Sequence, residues 1–215
     1  MTRKHLVIFA RMPQRGRVKR RLAAGIGDAA ALAFYRGATG RLLRTMARDR
    51  RWTTHLAMTP DRAASGPRFW PVARALRRRQ GQGDLGARMA RPMRELPPGP
   101  VVIVGSDIPA LAPRHVAAAF RALGGREAVF GPSDDGGYWL VGFRRSPCLP
   151  AALFRNVRWS TEHALADTLA GLPRRMRVAM LEMLEDIDDS AAYERWRTRS
   201  RRTVESRGSK GVQSN

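Results

Sequence analysis

The run VVIVGSDIPAL, residues 101–111, decides how this chain is read. Four β-branched apolar residues follow the breaker PPGP at 97–100 without a polar interruption. Such a run reads as a buried strand, and Asp107 then stands just past its end. Working outward, LVIF at 6–9 and residues 53–58 are further strands, the latter closed by Thr59-Pro60-Asp61. AVFG at 128–131, YWLVGF at 138–143 and residues 177–184 complete the strand set. Between them lie helical patterns at 28–48, with Asp28 as N-cap, and at 83–96, opened by Gly83-Asp84-Leu85-Gly86. Others fall at 113–123, at 160–172 behind Ser160 or Thr161, and from Asp189 or Ser190 to Arg197. Residues 10–18 and 61–83 read as irregular, basic segments.

Strands alternating with helices argue for a three-layer α/β/α sandwich around a mostly parallel, mixed sheet. One domain over residues 1–198 is expected, followed by a polar tail at 199–215 without core residues and therefore disordered. In such sheets ligands bind beyond the carboxyl ends of the strands, so polar clusters just after strands are the candidate chemistry.

Bulk composition narrows the classes. The 215 residues are 43% hydrophobic, enough for a core, and no apolar run approaches the roughly 18 residues of a membrane span. LVIFA near the N-terminus is too short for a signal peptide and reads as a strand. The single Cys148 excludes an internal disulfide and fits a reducing cytoplasm. The formal net charge is +22, yet all the basic residues except Lys4, Lys19 and Lys210 are arginine, scattered through the chain. A dedicated nucleic-acid binder shows a basic stripe interleaved with aromatics, so no specific nucleic-acid partner is expected, nor a membrane. The charge still attracts polyanions and steers phosphorylated ligands inward.

Three clusters follow apolar strands. ARMPQRGRVKRRL, residues 10–22, gathers Arg11, Arg15, Arg17, Lys19, Arg20 and Arg21 around Gly16. A turn with many N–H and guanidinium donors suits a di- or triphosphate, although a solvated basic loop looks the same and GxxxxGK[ST] is absent. Asp107 can hold Mg²⁺ or Mn²⁺ against a phosphate, or cap the following turn. In LEDIDDS, residues 184–190, an extended backbone sends Asp186 and Asp188 to one face and Ile187 to the other. A divalent cation would relieve the repulsion between the pair, whereas in water a capping, solvated acidic turn avoids it. GPSDDGGYWLVGF, residues 131–143, reads equally as a tight hairpin and as a ligand-approaching glycine turn. The histidines His5, His55, His115 and His163 lack metal-ligand spacing, and no GxSxG or Cys/His pattern supports a covalent nucleophile. Trp159-Ser160-Thr161 suits a ligand contact and, equally, a strand end with a helix cap.

Together the clusters resemble a known family. FARMPQRGRVKRRL resembles the pattern F-A-K-x-P-x-x-G-x-V-K-T-R-L, and GQGDLGARM resembles G-D-L-G-x-R-M. GSDIPAL, GPSDDGGYWLVG, WSTE and DID follow in the family's order, so the likeness spans about residues 5–196. The chain is similar to a bacterial transferase family of the GT-A, nucleotide-diphospho-sugar transferase fold, usually labelled glycosyltransferase. Its relatives include molybdopterin and 2-phospholactate guanylyltransferases. The resemblance implies a metal-dependent transferase moving a glycosyl or nucleotidyl group from a nucleotide sugar or nucleoside triphosphate to a small acceptor. It implies that Lys19 and Arg21, with Arg11, Gly16, Gly83 and Asp84, bind the nucleotide, and that Lys19 and Asp107 are catalytic. It further implies Mg²⁺ or Mn²⁺ on Asp107, Asp186 and Asp188, and Asp135, Gly136 and Gly137 on the acceptor side; Asp134 reads as a structural residue of the same turn. Arg11 replaces a usual Lys and Arg20 a usual Thr, which keeps charge at the first position and removes a hydroxyl at the second. A polyanion-binding protein that has lost catalysis, or a degenerate regulatory homologue, are the rival expectations.

Overall fold

The computed structural model describes residues 2–208 except 68, 71, 73, 74 and 146–148, with backbone only from 201 onward. Cys148 and residues 209–215 of the expected tail therefore lie outside the described residues. The strands are β1 (His5–Arg11), β2 (Thr53–Thr59), β3 (Leu76–Arg79), β4 (Val101–Val104), β5 (Ala128–Pro132), β6 (Tyr138–Phe143) and β7 (Val178–Met180). The helices are α1 (Arg20–Ile26), α2 (Asp28–Arg48), α3 (Arg62–Ser65), α4 (Leu85–Glu95), α5 (Pro113–Ala122), α6 (Ala164–Ala170) and α7 (Ser190–Gly208).

One seven-stranded sheet runs in the order β3-β2-β1-β4-β6-β5-β7. All neighbours are parallel except β6, which is antiparallel to both β4 and β5. Burial explains the central position of β1 and β4. Leu6, Ile8, Val102 and Val104 point to one face, where α2 and α5 deliver Leu43, Met46, Val116 and Phe120. The alternate residues Val7, Val101 and Ile103 point to the other, covered by Met89 and Met93 of α4. A strand apolar at every position has a partner layer on each side, and the α/β/α sandwich follows. No helix among the described residues is long and apolar enough to cross a membrane.

Several elements differ from the sequence reading. Residues 61–83 contain α3 and β3, and α1 begins directly after Lys19. β3 reads LRRR because it is an edge strand, paired only with β2, and charge on its open side needs no apolar alternation. Gly27, not Asp28, is the N-cap of α2. The helix expected from 160 starts at Ala164, because residues 160–163 form turns, and the last strand is only Val178–Met180. α7 continues past Arg197 to Gly208.

A histidine pair is built into the sheet. His5 and His55 are almost fully buried, with His5 Nδ1 3.2 Å from His55 Nε2. Burial, and then the neighbouring positive charges, lower both; His55 is brought from 6.5 to about 4. His115 is also lowered by burial. The unfolded chain thus binds more protons than the native one between pH 6.5 and about 4. The stability these rings contribute is present above pH 6.5 and is lost as pH falls through that window. Urea titrations should show this decline, and a His5→Leu/His55→Leu variant should flatten its upper part; an unchanged slope would contradict the assignment.

Candidate functional site

The parallel strands all deliver their following loops to one edge of the sheet. β1, β4, β5 and β7 end there, and β6 begins there, since Leu140 pairs with Val104 and Tyr138 with Pro132. The loop after β1 is held at its root by Tyr35 on α2. The Tyr35 hydroxyl accepts from the Arg11 N–H at 2.8 Å and donates to the Arg11 carbonyl at 2.9 Å. Val18 is buried, Gly16 takes φ +70°, and Lys19 takes the left-handed φ 49°, ψ 49° before α1. A left-handed lysine costs about 1–2 kcal/mol, so other contacts must hold it.

Those contacts are carboxylates. Lys19 Nζ lies 2.7 Å from Asp107 Oδ2 and 3.3 Å from Asp188 Oδ1, with its side chain only 4% exposed. Arg21 Nη1 reaches the other oxygen of Asp188 at 3.0 Å. Asp107 comes from the loop after β4, and Asp188 from the extended segment after β7. Two backbone contacts set that segment: the Leu184 N–H donates to Pro132 and the Ile187 N–H to the Asp107 carbonyl, both at 3.3 Å. Ile187 is buried among Leu22, Ala31 and Ala192, which leaves Asp186 and Asp188 on the opposite face.

The electrostatics follow from this crowding. Burial alone would lower the Lys19 pKa, but Asp107, Asp188 and Asp186 together hold it above its ordinary value, so the ammonium stays charged. Asp186 is pushed up to about 6, by burial first and then, against the pull of Lys19, by Asp107, Asp188 and Asp135. The donor set is all oxygen and carries more negative charge than Lys19 and Arg21 cancel, which fits a hard divalent cation. Among the described residues no three His, Cys, Asp or Glu side chains already converge as a metal group. The Lys19 ammonium stands between Asp107 and Asp188, where such a cation would have to compete with it.

On the other side of Asp107 lies a cavity of about 250 Å³, lined by Asp107, Asp135 and Asp186 and by Phe9, Tyr138 and Trp159. The β5–β6 connection is both a hairpin and part of this wall. Asp135 Oδ1 accepts from Ser133 Oγ at 2.6 Å and from the Gly137 N–H at 2.9 Å, which closes the turn. Gly136 does not face the cavity: at φ +79° it lies against the Glu162 backbone, where a Cβ would come within 2.1 Å of the carbonyl oxygen. Its own carbonyl accepts from the Leu165 N–H, docking the hairpin onto the first turn of α6.

Gly83 and Asp84 fall outside the cavity lining. Asp84 caps α4 by accepting from the Ala87 N–H at 2.7 Å, and the Gly83 carbonyl accepts from Arg88. Arg11, Gly16 and Arg21 lie exposed around Lys19, and Asp134 is exposed too. The sequence reading missed Phe9, Tyr138, Leu85 and Met89 as cavity walls. Strand parity could have found Phe9, which alternates with the core residues Ile8 and Ala10 at the ligand end of β1.

Residues 42–161 match the bacterial family described as "Uncharacterized protein conserved in bacteria (DUF2064)", and the chain belongs to that family. Comparison with curated proteins gave no match. Among solved structures the chain is similar to a Desulfovibrio desulfuricans G20 protein provisionally described as a nucleotide-diphospho-sugar transferase. Identity is 27% and the TM-score 0.71, over 88% of this chain and 84% of that one. A fold likeness extends to 4-diphosphocytidyl-2C-methyl-D-erythritol synthase from Anaerococcus prevotii DSM 20548, at 13% identity, TM-score 0.55, and 88% and 94% coverage. It extends also to the inositol-1-phosphate CTP transferase of T. maritima, at 9% identity, TM-score 0.52, and 88% and 91% coverage. The sandwich is thus of the nucleotide-diphospho-sugar transferase type that the sequence motifs implied.

The acidic centre carries a stability cost of known sign. Asp186 binds its proton more tightly in the native state than its ordinary 3.8, so stability falls as pH rises from 3.8 through about 6. Asp186→Asn should therefore stabilise the ligand-free protein by on the order of 2 kcal/mol at about pH 8, and change little near pH 4. Urea titrations at the two pH values check this, and a variant weaker than wild type at the higher pH would contradict the burial argument.

Proposed function

We propose that the protein is a metal-dependent transferase that uses a nucleotide sugar or nucleoside triphosphate and passes a glycosyl or nucleotidyl group to a small acceptor. The observation that carries this reading is the buried Lys19 ammonium, set among Asp107, Asp188 and Asp186 at the ligand edge of the sheet under an arginine-rich loop. The similarity to the D. desulfuricans protein, at 27% identity, supports the same donor class.

Arg11, Lys19 and Arg21, with the backbone around Gly16, receive the donor phosphates. A cation held by Asp107, Asp186 and Asp188 would supply charge neutralisation at the diphosphate. In the transfer, an acceptor atom forms its bond to the sugar carbon or the phosphorus as the bond to the leaving phosphate oxygen breaks. The electron pair leaves with that oxygen, and Lys19 stabilises its charge. The acceptor proton passes to a carboxylate of the site or to water.

A thermal-unfolding panel of nucleoside triphosphates and nucleotide sugars, with and without Mg²⁺ or Mn²⁺, tests this directly. A true donor at about 100 times its Kd adds roughly 2.7 kcal/mol of stability. Lys19→Met should weaken donor binding by about tenfold to a hundredfold, the worth of a charge-assisted hydrogen bond. Asp107→Asn should remove only the metal-dependent part of the shift. If no nucleotide raises the melting temperature with either metal, or if unrelated DNA does so without metal, the transferase reading fails.

A further inference from the structure

The cavity beside the acidic centre has a charge opposite to that of the chain around it. The molecule carries a formal +22, yet Asp107, Asp135 and Asp186 are the charged residues that line the cavity, with no lysine or arginine among them. Its remaining wall is largely apolar and aromatic, with Phe9, Tyr138 and Trp159 prominent.

Two groups there have unused hydrogen-bonding capacity. The Trp159 indole N–H is buried and has no partner among the described residues. Asp135 spends Oδ1 on Ser133 and on the Gly137 N–H, while its Oδ2 takes no hydrogen bond among the described residues. The indole N–H has essentially no accessible surface, so the polar groups that the cavity itself presents between its aromatic faces are the carboxylates and the Ser160 hydroxyl. Lys19 and a bound divalent cation offset Asp107 and Asp186, but a phosphate monoester or a carboxylate would still meet Asp135 with no lysine or arginine in the lining. A polyol meets complementary groups instead. Its O–H groups donate to the open oxygen of Asp135, one oxygen accepts from the Ser160 hydroxyl, and its C–H faces pack on the rings. The volume, about 250 Å³, is below the roughly 300–1,000 Å³ of drug-sized sites, which suits a single ring and not a chain of sugars.

We propose that this cavity takes the acceptor, and that the acceptor is an uncharged, hydroxyl-rich molecule of the sugar or polyol class, not a phosphorylated or carboxylated one. The proposal rests on the transferase reading and adds the substrate class. The site is then divided by charge: arginines of the loop after β1 face the donor phosphates, and carboxylates beyond Asp107 face the acceptor hydroxyls. The division also gives transfer a direction, because a phosphorylated ligand is drawn to the basic side and rejected by the acidic one.

The test uses the full chain and paired probes: glucose, ribose and myo-inositol, each against its monophosphate. Binding is followed by saturation-transfer NMR and calorimetry at about 0.3 M salt, where exposed arginines are screened. At least one neutral probe should bind, and about tenfold or more tightly than its monophosphate. Trp159→Ala should abolish that binding while the nucleotide-induced rise in melting temperature persists. Trp159→Phe keeps the ring contacts with Phe154 and Tyr138 and loses only the donor. It should leave binding of the neutral probe nearly unchanged, since the ring face and not the inaccessible N–H meets the ligand. The proposal is overturned if a monophosphate binds as tightly as its parent, or if no neutral probe binds. It is equally overturned if the Trp159 variants lower the nucleotide response, since the cavity would then hold the nucleoside. Failure of the transferase reading looks different: no nucleotide stabilises the wild type, whatever the sugars do.

Discussion

The ammonium of Lys19 ties together three segments of the chain that are far apart in sequence. It follows the first strand, its partner Asp107 follows the fourth, and Asp188 lies 169 residues away, past the last. Asp107, Asp135, Asp186 and Asp188 crowd the same edge, and without a cation among them their mutual repulsion would splay the loops that carry them. Lys19 is nearly inaccessible and held in a left-handed conformation that a lysine does not adopt without compensation. A residue placed at that cost, in the charged state, at the one edge where strands deliver loops, marks the site more firmly than any single acidic residue does. The cost borne by Asp186 points the same way: the fold tolerates a carboxylate that a ligand-free protein would be better without.

The rest of the sandwich positions this cluster. Two-sided burial of β1 and β4 fixes them at the centre of the sheet, so their loops meet at its middle. Ile187, packed against α1, α2 and α7, sets the register of the segment that carries Asp186 and Asp188. The hairpin at 131–143 shows that structure and site need not compete. The Asp135 carboxylate closes its own turn with one oxygen and lines the cavity beside it.

Much of this was legible in the residues, for physical reasons that also explain what was not. VVIV, LVIF and YWLVGF are uninterrupted apolar runs, and such runs have few alternatives to a buried strand. The alternation in Asp186-Ile187-Asp188 was readable because period two is a property of extended backbone itself. β3 escaped because an edge strand needs neither an apolar face nor alternation, and LRRR has neither. α1 escaped because its first residues are arginines and its N-cap is a lysine in a left-handed conformation, which no capping preference anticipates. Gly83 and Asp84 show a structural role for the same kind of motif. The motif suggests a ligand contact, and in the fold Asp84 caps α4. The Trp159 indole, without a hydrogen-bond partner among the described residues, has no sequence signature at all, since its burial depends on α4, Tyr138 and Phe154 packing around it.

The central claim is one of place: donor phosphates bind where Lys19, Asp107 and the segment 186–188 converge. Backbone-amide NMR mapping with a Mg²⁺–nucleoside triphosphate tests it most directly. The account predicts perturbations concentrated at residues 11–21, 105–107 and 186–188, and small elsewhere. Perturbations spread over exposed arginines, or centred on the basic edge strand at 76–79, would mean that charge alone recruits the nucleotide and would contradict the site.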